Sequence, residues 1–253
     1  MNAPAWRHSP PASLVMPPWQ EIEVQRMNRA AFAAYKKRFV DASRVILAQE
    51  QSPVLAEAAF PAYADPNPLI SFLFWHRIRT ATKFLERRQP PAAVLDFGCG
   101  GGVMLPFLGR VAGRVVATDI DLSPLDKMRA LLPLPDTIEI VDLKKRGLES
   151  LEPKSFDAVL ALDVLEHVVD LPGTVSGLCG LLKSGGVLLV SGPTENFFYR
   201  IGRKIGGENY TGDYHVRNVY DIRRVLAQYA TVRTVATLFY PVPLFKVYCG
   251  TVA

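Results

Sequence analysis

The sequence has little cysteine and no long apolar run. Its 253 residues include three cysteines, Cys99, Cys179 and Cys249, which lie far apart and form no C-x-x-C pair. This odd, scattered set argues against a disulfide framework or a zinc cluster, so we expect a reducing compartment and no metal site. No run reaches the roughly 18 apolar residues of a membrane span, and the N-terminus lacks the basic start and apolar core of a signal peptide. We therefore expect a cytoplasmic protein.

The centre of the chain has no excess of basic residues, although the formal net charge of the whole chain is +5. Residues 91–196 carry 9 basic and 14 acidic side chains, whereas the segments on either side are net basic. An acidic centre does not suit a nucleic-acid groove, so we expect no nucleic-acid partner. The basic flanks suit an acidic substrate or an anionic membrane surface, but a solvated basic face is the simpler explanation.

A glycine-rich turn follows a short apolar strand and organises the rest of the chain. Residues 94–102 read V-L-D-F-G-C-G-G-G, and an apolar run that can start a helix begins at Val103. A strand, a tight glycine turn and a helix form the nucleotide-binding corner of a doubly wound α/β sheet. The dinucleotide fingerprint needs a small residue at Val103, and a pyrophosphate disfavours an acid at Asp96. That acid suits a ligand with an ammonium group, although a plain loop is the alternative.

The first 89 residues precede this turn and show helical patterns only. Residues 1–18 are rich in proline and are predicted to be disordered. Residues 19–89 are predicted to form a helical extension, interrupted by prolines between residues 52 and 68. A helix over residues 69–88 carries aromatic side chains on one side and Arg77 and Arg79 on the other. It could cover a substrate entrance or lie on a membrane surface, and simple packing on the domain is the competing explanation.

From Pro90 onward, strands alternate with helices. Strands are predicted at 94–97, 114–119, 138–142, 156–163 and 187–191, with a helix starting at Val103 and others at 123–132 and 171–182. Ser123 is the predicted N-cap of the second of these helices. A helix at 219–229 and strands at 232–238 and 245–252 complete the pattern. The prediction is one domain over residues 90–253, a Rossmann-like, doubly wound, seven-stranded and mostly parallel sheet with an antiparallel C-terminal strand.

Acidic residues follow four of these strands. Asp96, Asp119, Asp142 and Asp163 each stand at or near a strand's carboxyl end, where ligands bind in such sheets. A carboxylate after the second strand can accept from both hydroxyls of a ribose, and one after the third can accept from an exocyclic amine. One beside the glycine turn can hold an ammonium group. Together they predict a ligand with an amine, a ribose and an adenine but no phosphate.

Several segments resemble class I S-adenosylmethionine-dependent methyltransferases over residues 90–195. Residues 94–102 resemble the family's first motif, V-L-D-x-G-C-G-x-G, and residues 115–121 its second, with Asp119 at the ribose position. F-D-A-V at 156–159, D-V-L-E-H at 163–167 and L-L-K-S-G-G-V-L at 181–188 are similar to the small-molecule branch related to ubiquinone biosynthesis. The second motif departs from the pattern because Asp121 offers another acid.

The resemblance implies S-adenosyl-L-methionine as methyl donor, S-adenosyl-L-homocysteine as product, and a small-molecule or lipid-like acceptor. Asp142 resembles the acid on the adenine side, while Asp121 could share the role of Asp119. The implied donor-binding residues are Asp96, Gly98, Cys99, Gly100, Gly102, Asp119, Ile120, Asp142, Leu143, Asp163 and Val164.

Methyl transfer from a sulfonium requires mainly orientation and desolvation, and a base only where the acceptor must lose a proton. His215 and His167 are the candidate bases. His167 follows the fourth strand, where a structural role competes, and His215 lies in an aromatic segment between residues 192 and 219. Two other functions stay open, namely a methyltransferase-fold protein that binds a partner without turnover and a nicotinamide-dependent oxidoreductase. Val103 and Asp96 disfavour the oxidoreductase. The acceptor, the methylated atom and the oligomeric state stay open.

Overall fold

Within residues 28–50, 52–194, 217–239 and 243–253, which the computed structural model describes, a seven-stranded sheet runs in the order β3-β2-β1-β4-β5-β7-β6. Its strands are β1 (Ala93–Phe97), β2 (Arg114–Asp119), β3 (Ile138–Asp142), β4 (Phe156–Leu162), β5 (Leu182–Pro193), β6 (Thr231–Leu238) and β7 (Phe245–Thr251). The first five pair in parallel, while β7 runs antiparallel to β5 and to β6. The predicted sheet is confirmed, and its order reverses between β1 and β4, where ligands bind in such folds.

Helices cover both faces of this sheet. They are α1 (Arg29–Gln49), α2 (Pro53–Glu57), α3 (Phe60–Ala64), α4 (Pro68–Glu86), α5 (Leu105–Val111), α6 (Ser123–Leu131), α7 (Leu143–Arg146), α8 (Leu171–Leu181) and α9 (Val219–Leu226). Strand side chains alternate between two apolar layers, so Val94 packs with α1 and α3 to α6 and Leu95 packs with α8 and α9. None of the helices in the described ranges is long and apolar enough to cross a bilayer.

Local chemistry moved several predicted boundaries. Prolines begin helices between residues 52 and 68 instead of breaking them, because proline at the first helical turn has no hydrogen bond to lose. The predicted cap at Ser123 is wrong, since Leu122 holds the N-cap position and makes no side-chain cap bond. Ser123 N–H instead donates to Oδ1 of Asp121 at 2.8 Å. Helix α5 begins at Leu105, two residues later than predicted, and β5 extends from Leu182 to Pro193.

Helix α4 packs on the domain more completely than an amphipathic surface helix would. Trp75 is 3% exposed and Arg77 is 4% exposed, so Arg77 does not belong to an exposed basic side of the helix, and the alternative of packing on the domain holds for this part of it. The exposed apolar residues are instead Leu69 and Phe72, in the first turns of the helix. Arg77 can be buried because a carboxylate from a distant part of the chain reaches it, a contact that helical periodicity does not contain. The predictions for residues 1–18 and for His215 and its aromatic neighbours concern residues outside the described ranges.

Candidate active site

The glycine turn after β1 has the backbone that only glycine adopts readily. Gly98, Gly100 and Gly102 have φ values of +72°, +51° and +77°, in the left-handed region. A Cβ atom added at Gly98 would also lie 2.4 Å from Cγ2 of Val164. The N–H groups of Gly98 and Cys99 donate to the carbonyl oxygen of Thr118 at 2.8 and 3.0 Å. The turn is therefore held against the end of β2.

Asp119 and Asp121 have separate roles in the local structure. Oδ2 of Asp119 accepts from Gly100 N–H at 2.8 Å, and its Oδ1 accepts from Ile120 N–H at 2.7 Å. Burial raises the pKa of the Asp119 carboxyl, although these backbone donors oppose the shift. Asp121 instead accepts from Ser123 N–H at the start of α6. Asp119 therefore faces the glycine turn, whereas Asp121 supports a helix, and Ile120 between them is 70% exposed.

Asp96, at the centre of the sheet, is a buried carboxyl group that has no positive partner among the residues that the structure describes. It is 4% exposed, and none of the ion pairs in the described part of the chain involves it. Burial, together with the negative charge of Asp119, raises the pKa of Asp96 to about 7. A buried acid of this kind favours a cationic ligand, because the ligand's charge would offset the cost of ionising it. The site therefore fits the ammonium end predicted from the sequence.

Asp142 lies across from Asp119 in the β2–β3 register and completes the row of acids on this rim. Its Oδ1 accepts from Lys145 N–H at 3.2 Å, which caps α7, and its Oδ2 pairs with Lys145 Nζ at 3.0 Å. These contacts lower the pKa of the carboxyl, the hydrogen bond to the Lys145 side chain most of all. Leu143 follows as the first residue of α7 and is half-buried.

Asp163, directly after β4, is held by contacts on both carboxylate oxygens. Ser191 Oγ donates to Oδ1 at 3.0 Å, and Nη1 of Arg77 pairs with Oδ2 at 2.9 Å. Its φ of +55° is rare for a residue other than glycine, and aspartate tolerates it better than most residues. The next residue, Val164, contacts Gly98, so Asp163 lies beside the glycine turn.

The helices before β1 also reach the turn, which sequence reasoning missed. Tyr35 of α1 donates its hydroxyl hydrogen bond to the carbonyl oxygen of Val103. Phe60 of α3 lies so close that a Cβ atom at Gly101 would be 2.0 Å from its ring, and Ala58 lies over Gly100. The signal in the sequence was the helical spacing of aromatic residues in α1, which marks a buried face but not its partner.

The two histidine predictions fall in different places. His167 ends a one-turn 3₁₀-helix, Leu165–His167, and its side chain is exposed. Its backbone N–H donates to the carbonyl oxygen of Val164 at 3.1 Å, which suits a structural turn. His215 lies outside the described residues. The structure thus brings together the glycines, Cys99, Asp96, Asp119, Asp142, Asp163 and Val164 on one rim of the sheet.

Comparison with known proteins decides the family. A family model described as a methyltransferase domain matches residues 71–233, which is more than half of the chain. This chain belongs to that family. The methyltransferase family predicted from the motifs is thereby confirmed. The family match begins within α4, so this helix is part of the region shared with other methyltransferase domains.

Curated relatives of the methyltransferase carry the name ubiquinone biosynthesis O-methyltransferase. That of Xanthomonas campestris is 41% identical over 106 residues, covering 40% of this chain and 43% of the relative. That of Methylocella silvestris is 31% identical over 167 residues, covering 61% and 60%. The chain therefore spans about half the length of the curated relatives it matches.

Solved structures share the fold of the methyltransferase at low sequence identity. Magnesium protoporphyrin IX methyltransferase from Synechocystis PCC 6803, solved with the demethylated donor product bound, is 21% identical with a TM-score of 0.55, covering 78% of this chain and 94% of that one. The N-methyltransferase NodS from Bradyrhizobium japonicum WM9 is 15% identical with a TM-score of 0.54, covering 74% and 89%.

Proposed function

We propose that this protein transfers a methyl group from S-adenosylmethionine to a hydroxyl group of an apolar small molecule or lipid-like intermediate. The observation that carries the proposal is the buried Asp96, which forms no ion pair with any described residue and lies beside a glycine turn with three left-handed glycines. Family membership supports the donor, and the name shared by the curated relatives supports oxygen as the methylated atom.

Residues at the ends of three strands would each bind a different part of the donor. Asp96 would take the ammonium group, directly or through water, and Asp119 would accept from the ribose hydroxyls. Asp142, the exposed side chain of Ile120 and the half-buried side chain of Leu143 would meet the adenine. The glycines let the backbone of the turn approach the ligand closely, since no Cβ atom intervenes.

The bound donor supplies an activated methyl group on a sulfonium. The chain's own residues need only align the acceptor with it and keep water away, which can provide most of the rate in such displacements. Asp163 is already fixed by Arg77 and Ser191 and borders the turn, so it forms one wall of this space. A proton leaving the acceptor would pass to a base, for which His215 stays our candidate and the exposed His167 is a weaker one.

Calorimetry provides the first test. We expect S-adenosylmethionine and S-adenosylhomocysteine to bind with micromolar affinity, about −8 kcal/mol. NAD and NADP should not bind, because Asp96 would face their pyrophosphate. Binding of a nicotinamide nucleotide without binding of either sulfur compound would refute the proposal.

A second experiment should identify the acceptor. A cell extract is incubated with the protein and methyl-labelled donor, and labelled products are identified by mass spectrometry. Donor binding without any labelled product would favour the non-catalytic alternative.

We also propose that the start of α4 contacts a membrane surface, where a lipid-like acceptor would be held. Leu69 and Phe72 are 62% and 51% exposed on adjacent turns of the helix. Anionic vesicles should therefore sediment the wild-type protein. The Phe72→Asp variant should stay in solution, with Tyr229→Asp as a matched control at an exposed aromatic residue elsewhere. Equal sedimentation of all three proteins would refute the contact.

A further inference from the structure

The buried ion pair between Arg77 and Asp163 joins the helical extension to the donor site. Arg77 belongs to α4, 86 residues before Asp163, and is 4% exposed. Its guanidinium carbon lies 4.3 Å from the ring centre of Phe74 and 4.5 Å from that of Phe245. Arg77 also lies close enough to the hydroxyl group of Tyr63 to lower its pKa, although burial is the larger cause and raises that pKa to about 12. The cation is thus surrounded by two rings, a nearby phenol and one carboxylate.

Stability alone gives little reason for this arrangement. Removing two charges from water costs about as much as their attraction returns, so apolar residues of similar volume are often equally stable. Here Nε of Arg77 also has no hydrogen-bond partner among the described residues. Buried polar atoms without partners are rare in folded proteins and call for an explanation.

The position of the pair suggests that explanation. Val164, adjacent to Asp163, packs against Gly98 of the glycine turn. Tyr63 lies close enough to both Asp96 and Asp163 for each charge to raise its pKa, although burial is the larger cause. Asp163 therefore lies near Asp96 on the same rim, and a donor whose ammonium group is held by Asp96 would have its sulfonium within reach of Asp163.

We propose that Arg77 is a positioning residue that neutralises Asp163, so that the donor site does not bind the sulfonium ground state too tightly. This inference rests on the proposed donor site. Methyl transfer removes the positive charge from sulfur, so a free carboxylate there would favour the donor over the demethylated product and would oppose the reaction. When Asp163 is paired with Arg77, its side chain still lines the site, but the positive charge of Arg77 cancels most of the electrostatic potential of the carboxylate.

The proposal predicts the direction in which each variant changes the relative affinity for donor and product, and this can be measured without knowing the methyl acceptor. The measured quantity is the Kd of S-adenosylhomocysteine divided by the Kd of S-adenosylmethionine, obtained by calorimetry at pH 7.5. Arg77→Met leaves Asp163 negative and should raise this ratio about tenfold, as expected for charges several ångströms apart in a protein interior. Asp163→Asn leaves Arg77 positive and should lower it about tenfold. Arg77→Met/Asp163→Asn should return the ratio to within about twofold of wild type, and Arg77→Lys should keep it.

The opposite signs separate this role from a structural one, because loss of packing would weaken both ligands alike. Ratios that move in the same direction in both single variants, or that do not move, would overturn the proposal. If Arg77→Met fails to fold, Asp163→Asn still shows whether the Kd ratio falls, and the double variant still shows whether the ratio returns to the wild-type value. Failure of the wild-type protein to bind either ligand would instead refute the proposed function itself.

Discussion

The buried carboxyl of Asp96 predicts that donor binding depends on pH in the neutral range. Burial and the charge of Asp119 raise its pKa from 3.8 to about 7, which corresponds to about 4 kcal/mol against the ionised form. If the ionised form binds the ammonium, the free protein must release a proton as the donor binds. At pH 5 only about 1% of the free protein would have Asp96 ionised. Affinity should therefore be about 50 to 100 times weaker at pH 5 than at pH 7.5.

Calorimetry of S-adenosylhomocysteine between pH 5 and 7.5 measures this dependence, since an α-amino group begins to lose its own proton near pH 8. Repeating the titration at pH 6 in buffers of different ionisation enthalpy should reveal about 0.9 protons released per ligand, as the pKa implies. Asp96→Asn should bind weakly at every pH and release no proton. Asp142→Asn is the control, because the pKa of Asp142 is lowered and its charge does not change in this range. An affinity that is flat from pH 5 to 7.5 in the wild-type protein would refute the reasoning.

The raised pKa of Asp96 also predicts how the stability of the ligand-free protein depends on pH. The folded-state pKa of Asp96 is above its unfolded value, so the contribution is fully present below pH 4 and is lost as pH rises through about 7. Asp96→Asn should therefore melt at higher temperature than wild type at pH 7.5, by roughly 2–4 °C for each kcal/mol regained. The difference should vanish near pH 4, and a variant less stable at pH 7.5 would contradict the assignment.

Three further predictions concern the turn and the acceptor. Asp119→Ala should weaken donor binding by roughly 2–3 kcal/mol, while Asp121→Ala should mainly lower the melting temperature through loss of its contact at the start of α6; equal losses of affinity in calorimetry would mean a shared role. Gly101→Ala should destabilise the fold by roughly 1–3 kcal/mol in urea because of Phe60, and adding Phe60→Leu should recover part of that loss; strictly additive losses would exclude the clash. His215→Ala should lower turnover about 10²–10⁴-fold with donor affinity intact, and unchanged turnover from pH 6 to 9 would exclude a base there.

The sequence predicted those parts of the fold whose cause is local. Strands β2 and β3 have the predicted bounds, since each is a short apolar run that ends in an acid. The order of strands and helices followed from alternation, and the row of acids followed from where parallel strands end. Asp119 and Asp142 therefore end β2 and β3, and Asp163 follows β4, so that all three acids lie at the carboxyl ends of parallel strands.

Features that depend on distant partners were not predictable in this way. The predicted N-cap at Ser123 is wrong because Asp121 supplies the hydrogen-bond acceptor at the start of α6. Asp121 and Ser123 have similar propensities to cap a turn, so the sequence alone does not decide between them. Phe60 reaches Gly101 from a segment that the prolines had marked only as irregular. Arg77 was placed on a basic side because helical periodicity records polarity but not the carboxylate that the polar group meets.

Asp96 and Asp163 show why the location of an acid does not determine its function. Both lie next to the glycine turn, yet Arg77 pairs with Asp163 and no cation in the described residues pairs with Asp96. If both were unpaired, two carboxylates would compete for the donor's two positive groups, and the sulfonium would be bound as firmly as the ammonium. Under the proposal, pairing Asp163 with Arg77 leaves Asp96 as the only unneutralised charge of these two acids, so the amino-acid end would be fixed and the reactive end would lie in a more neutral setting. A residue from the helices before the sheet would then determine which of the two acids acts as a charge.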